Sequence, residues 1–148
     1  MKEITSLGNA VVKDVSNLKQ KKYRERGNCF VVEGLRAVEE AVRYAAVQKV
    51  FAVPDAANNR LAQLLADAAA KNIELYSVTE QVMKKMSDTE APQGVLAVCS
   101  KPQGFIVADG TVLVLDRVAD PGNVGTLIRT AEAAGRCFAG GLRRRLCA

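Results

Sequence analysis

The chain has 148 residues, 49% hydrophobic and 25% charged, which suits one ordinary domain, or a small domain joined to part of another, and excludes general disorder. No apolar run approaches the roughly 20 residues of a membrane span, and Met1-Lys2-Glu3-Ile4-Thr5-Ser6 leads into a charged helix, not an apolar signal core, so a cytoplasmic location is expected. The net charge of +5 divides into +4 over residues 1–28, −3 over 29–135 and +4 over 136–148, which fits either a polyphosphate partner gripped at the ends or a solvated helix face.

In chain order, residues 9–24 set Val11, Val15 and Leu18 on an apolar stripe and place Lys13, Lys21, Lys22 and Arg24 elsewhere. The spacing predicts one amphipathic helix, a basic N-terminal arm within residues 1–28, stopped by Gly27-Asn28. Cys29–Glu33 reads as a strand, and Gly34 turns it into a helix running to about Ala46. Val50–Val53 is a second strand, and Asn58 or Asn59 can cap the helix that carries Leu61, Leu64 and Ala68. Ile73–Val78 follows as a strand, Thr79 caps a short helix with Val82, Met83 and Met86, and Val95–Cys99 closes the series. This alternation predicts an α/β domain over residues 29–100 with a mostly parallel sheet covered on both faces.

Residues 101–110, beginning Lys101-Pro102-Gln103-Gly104, read as a linker. Thr111–Asp116 is then a continuous apolar strand, Arg117–Asn123 a polar loop, and Val124–Ala134 a helix closed by Gly135 in the C′ position. One strand and one helix cannot bury both of their faces, so residues 111–135 read as the start of a second, incomplete domain. Residues 136–148 show neither helix nor strand periodicity, and the expectation is that a natural continuation was lost there, by frameshift or early stop.

The four cysteines form no CxxC pair and histidine is absent, so neither a metal site nor a disulfide framework is expected. The chemistry is more informative at Asn123, read here as the cap of the last helix, and at Arg129, six residues on. A guanidinium near a helix start suits phosphate, although a capped helix with one surface arginine is an equally physical reading.

The stretch Asp-Pro-Gly-Asn-Val-Gly-Thr-Leu-Ile-Arg-Thr-Ala-Glu-Ala-Ala-Gly, residues 120–135, closely resembles the first signature motif of the SpoU-type branch of the SPOUT RNA methyltransferases. The N-terminal text is similar to their substrate-binding domain: Ile4-Thr5-Ser6, Asn9, Lys21-Lys22, Phe30-Val31-Val32-Glu33-Gly34 with Arg36, and Pro92-Gln93-Gly94. The resemblance implies a small ribosomal-protein-like α/β domain that holds structured RNA, commonly ribosomal RNA, followed by the first strand, loop and helix of a trefoil-knotted domain. It implies methyl transfer from S-adenosylmethionine to a ribose 2′-oxygen, with Asn123 and Arg129 lining the active site. It implies RNA contacts at Lys13, Lys21, Lys22, Arg24 and, more weakly, Arg36. The family's second and third motifs, which build the knot and most of the cofactor pocket, have no counterpart after Gly135, so this chain is expected not to bind the cofactor and to have lost the family's dimer contact. A non-catalytic RNA-binding module is the alternative. An unrelated nucleotide-binding protein is disfavoured, because no Gly-rich phosphate fingerprint follows Val32 or Leu115.

Overall fold

The computed structural model describes residues 1–55, 59–102, 112–134 and 137–139. The chain divides into two compact units, Met1–Pro102 and Gln103–Ala148. No described helix is long and apolar enough to cross a membrane.

The first unit runs β1 (Lys2–Ile4), α1 (Ala10–Asn17), α2 (Lys21–Arg26), β2 (Cys29–Glu33), α3 (Leu35–Tyr44), β3 (Val47–Ala52), α4 (Asn59–Ala70), β4 (Glu74–Val78), α5 (Glu80–Met86) and β5 (Val95–Ser100). Its strands form one sheet in the order β1-β4-β3-β5-β2. Alternation along the strands separates two apolar clusters, one on each face. Phe51, Leu96 and Val98 join Val12, Val15 and Met83 beneath α1 and α5. Val50, Ala52, Val95 and Ala97 join Val38 and Leu64 beneath α3 and α4. β5 is buried from Val95 to Cys99, which identifies it as a central strand covered on both sides.

The α/β class and the mostly parallel sheet hold, with one departure: β1, β2, β3 and β4 run the same way and β5 alone is reversed. β1 and β3 pair parallel with β4, whereas β5 runs antiparallel to both β3 and β2. A strand buried on both faces reads as a continuous apolar run whichever way it points, so Val95–Cys99 carried no directional signal.

The single helix expected over residues 9–24 is corrected. Asn9 caps α1 by accepting from the Val11 amide at 2.9 Å. After Asn17 the chain tightens into i→i−3 bonds, passes through an extended Gln20 and starts α2. Arg24 braces the elbow by donating through Nη1 to the carbonyls of Leu18 and Lys19, at 2.8 and 2.6 Å. Those are carbonyls that a helix end leaves without partners. The arm is therefore built into the first unit: Val12, Val15 and Leu18 are buried in its core. Residues Lys2–Ile4 add a strand that the sequence pattern missed.

Thr79 caps α5 as expected, its Oγ1 accepting from the Val82 amide at 3.3 Å. Of the two proposed caps of α4, Asn59 is its first residue and Asn58 lies outside the described residues.

In the second unit β6 (Val112–Val114), α6 (Pro121–Ala133) and β7 (Cys137–Ala139) form a strand–helix–strand unit, with β6 and β7 parallel. The expectation of no strand after Gly135 is corrected by β7, whose three residues are too few to show periodicity. Gly135 itself lies outside the described residues, as do residues 140–148 and most of the expected linker.

Candidate functional site

The helix start that carries the chemistry is built by Asp120, not by Asn123. Asp120 is the N-cap of α6, its Oδ2 accepting from the Asn123 amide at 2.8 Å, and Pro121 occupies the first turn, where its missing N–H and fixed φ cost nothing. A Cβ on Gly122 would stand 3.2 Å from that carboxylate, so glycine keeps the cap clear. Asn123 thus lies one turn deeper than the sequence suggested, with its side chain exposed.

Arg129 folds back along α6 towards this start. Its Nη2 donates to Thr126 Oγ1 at 3.3 Å, and the Thr126 hydroxyl donates to the Gly122 carbonyl at 2.9 Å. A Cβ on Gly125 would lie 3.2 Å from Arg129 Nη1, so the small residue is what lets the guanidinium lie there. Asn123 and Arg129 are about one and two-thirds turns apart, and among the described residues no hydrogen bond joins them. Both are exposed, so α6 presents an amide and a guanidinium to whatever approaches its first turns. Ahead of it, Arg117 holds a left-handed backbone, φ 55°, uncommon for a residue with a side chain, and lies 3.6 Å from Asp116.

The five candidate RNA contacts are less uniform than their sequence suggests. Lys13 is exposed on α1 with no ion pair among the described residues. Lys21 pairs with Glu25 at 3.4 Å, one turn along α2, and Lys22 sits 4.8 Å from the centre of the Tyr23 ring. The guanidinium of Arg24 is engaged by the α1 carbonyls, which makes it first a brace of the elbow. Arg36 is exposed in the first turn of α3. α2 precedes β2 and Arg36 follows it, so these cations lie towards opposite ends of that strand. Arg60 is spent on Glu39, whose carboxyl its hydrogen bond holds below the ordinary glutamate range.

Sequence reasoning missed a polar cluster at the end of the sheet where Arg36 stands. Glu33 accepts from the hydroxyls of Ser87 and Thr89, and Ser87 is the one buried polar residue among those described. Beside it Gly34 (φ 94°) starts α3, and a Cβ there would come within 2.9 Å of Gln93 Oε1. The Gly34 amide donates to Val95 and the Val53 amide to Gly94, which has φ 73°. Glu33-Gly34 and Gln93-Gly94 are therefore one interlocked turn. Their shared presence in the motif text was the available signal; Ser87 and Thr89 carried none. Among the described residues no group of side chains is suited to hold a metal ion.

Residues 9–97 match the family model of the MRM3-like substrate binding domain. The chain belongs to this family. It is 39% identical over 135 residues to the 23S rRNA (guanosine(2553)-2'-O)-methyltransferase RlmP of Bacillus subtilis, covering 91% of this chain and 52% of that protein. It is 30% identical over 129 residues to the human mitochondrial rRNA methyltransferase 3, covering 80% of this chain and 30% of that one. The AdoMet-bound rRNA methyltransferase of Sinorhizobium meliloti superposes with a TM-score of 0.74 at 32% identity, over 96% of this chain and 56% of that structure. The chain spans about half the length of the RlmP relative and of the Sinorhizobium structure. The SpoU-type resemblance is thereby borne out.

Proposed function

We propose that the first unit holds ribosomal RNA for an S-adenosylmethionine-dependent 2′-O-ribose methyltransferase, and that α6 offers Asn123 and Arg129 to the target ribose and its phosphate. The family match over residues 9–97, coinciding with a unit that closes its own core, carries the reading. Exposed Lys13 and Lys22 on α1 and α2, and Arg36 at the other end of β2, supply charge for phosphates, with Lys21 available once Glu25 releases it. Arg24 contributes by fixing the angle at which α1 and α2 meet, and among the described residues its Nε and Nη2 make no hydrogen bond that would compete with a phosphate.

A ribose 2′-hydroxyl is a poor nucleophile, and a guanidinium beside it lowers the cost of its deprotonation. Arg129 would do that work, with Asn123 on the same helix as a neutral donor or acceptor. The methyl donor would supply the electrophile. The described residues of the second unit, an exposed helix and two short strands, do not by themselves enclose such a cofactor.

The test is anisotropy of a labelled ribosomal-RNA hairpin against salt. If about four cations neutralise phosphates, log affinity should fall against log salt with a slope of about −3 to −4. A salt-independent affinity would overturn the reading. Calorimetry with S-adenosylmethionine separates the enzyme from the alternative, a non-catalytic RNA-binding module: saturable binding supports the enzyme, RNA binding alone the module. Association between copies is proposed to be weak, and light scattering should return a monomer mass.

A further inference from the structure

The first unit contains a cavity of about 450 Å³ walled by α1 and α2 and floored by the sheet. That volume lies in the range of about 300–1,000 Å³ typical of small-ligand sites. Its apolar surface comes from Val15, Leu18, Tyr23 and Val98, and its polar groups include the side chains of Asn17, Arg26 and Lys49. Asp14 also lines it, as the one carboxylate there.

Lys49 reaches this cavity by ordinary strand alternation, two residues before Phe51 and opposite Val98. The β3–β5 register shifts between Val47 and Lys49. Val47 and Val50 both pack in the cluster under α3 and α4, three residues apart, which regular alternation forbids. The bulge therefore moves Val47 to the α3 and α4 side, while Lys49 keeps the face of Phe51, the one that α1 and α5 cover and Tyr23 of α2 packs against. Across β3–β4 it stands in register with Glu74, but that carboxylate is already held by Lys2 Nζ at 3.3 Å and by the Tyr76 hydroxyl at 2.6 Å. Among the described residues Lys49 and Arg26 form no ion pair, Lys49 acting on Glu74 only through space, so two cations share the cavity with Asp14, and Lys22 adds a third positive charge against Tyr23.

A half-buried aromatic ring, a side-chain amide and unpaired cations around an apolar floor match the chemistry of a single nucleotide: π-face, hydrogen-bonding edge and phosphate. We propose that this cavity takes one unpaired nucleoside of the bound RNA, its base against Tyr23 and Asn17 and its flanking phosphates on Arg26 and Lys49. This rests on the RNA-holding reading above and adds to it a preference for RNA with an extrahelical base.

The test uses the full chain and two labelled RNA hairpins, one fully paired and one with a single bulged uridine. The bulged hairpin is expected to bind about tenfold more tightly. Tyr23→Leu, which keeps a bulky apolar side chain, should remove that preference, and Tyr23→Phe should retain it. Lys49→Gln should reduce the salt slope on the bulged hairpin by about one. With 5-iodouridine at the bulge, irradiation should attach the RNA to Tyr23. Equal affinity for the two hairpins, or a preference that survives Tyr23→Leu, would overturn the cavity assignment while leaving RNA binding intact. Binding of neither hairpin would overturn the RNA reading and this inference together.

Discussion

The two units solve the problem of burial differently. The first covers both faces of its sheet, so Phe51, Leu96 and Val50 are wholly out of water. Among the described residues of the second, only Leu115 and Ala131 are buried, and Val114 and Leu127 stand exposed. A region that packs its own core can hold a ligand on a rigid frame. A region that offers one capped helix holds chemistry in place only through local bonds such as those among Asp120, Asn123, Thr126 and Arg129.

That contrast should break most visibly in the first core. Phe51 is fully buried and stacks on Tyr76 with ring centres 4.9 Å apart. Phe51→Ala should cost about 3–5 kcal/mol, seen as a lower urea midpoint for the first unit. A cost under about 1 kcal/mol would mean the core tolerates a void and is not close-packed.

The Glu33 cluster should give the next largest effect. Glu33→Ala leaves the hydroxyls of buried Ser87 and of Thr89 without their shared acceptor, costing about 1–3 kcal/mol. Glu33→Gln, which retains an acceptor, should recover most of it. Equal loss in both variants would point to charge and not to hydrogen bonding.

In the second unit the same kind of cut should stay local. Asp120→Ala removes the cap of α6 and should cost about 0.5–2 kcal/mol, read as faster amide exchange in its first turn. Exchange in α1 and α3 should not change; if it did, the two regions would not be energetically separate.

The smallest expected effect is the pH dependence of two carboxylates, exposed Glu74 and partly buried Glu39. Hydrogen bonds from Tyr76 and then Lys2 hold Glu74 below the ordinary glutamate range, and the bond from Arg60 does the same for Glu39. Both carboxyls titrate lower in the folded chain, so their contribution is full above the ordinary carboxyl range and is lost as pH falls through their lowered values. Glu74→Gln should flatten the acid side of the stability profile slightly, and added salt should shrink the difference.

What the sequence disclosed follows from how local each cause is. Thr79 capping α5 was legible because the cap bonds an amide three residues on. The break between α1 and α2 was not, because Arg24 stabilises it from across the elbow. The direction of β5 depends on its neighbours and leaves no mark on an apolar run. At α6 the cap expected at Asn123 is Asp120; Pro121 in the first helical position was the signal that would have placed it. Arg129 was legible as a type and a spacing, but its fold over Gly125 is a property of the packed side chain. Lys49 was not legible as a site residue, since its strand neighbours Val47 and Val50 pack on the other face across a bulge that the sequence does not mark.

The central claim is that RNA is held by the first unit and only approached by α6. Its most direct measurement compares Lys13→Gln/Lys22→Gln with Arg129→Gln in binding a labelled ribosomal-RNA hairpin. The account predicts that the paired lysine change flattens the salt slope by about two and weakens binding, while Arg129→Gln leaves affinity within about twofold. An affinity that falls with Arg129→Gln and is untouched by the lysine change would contradict it.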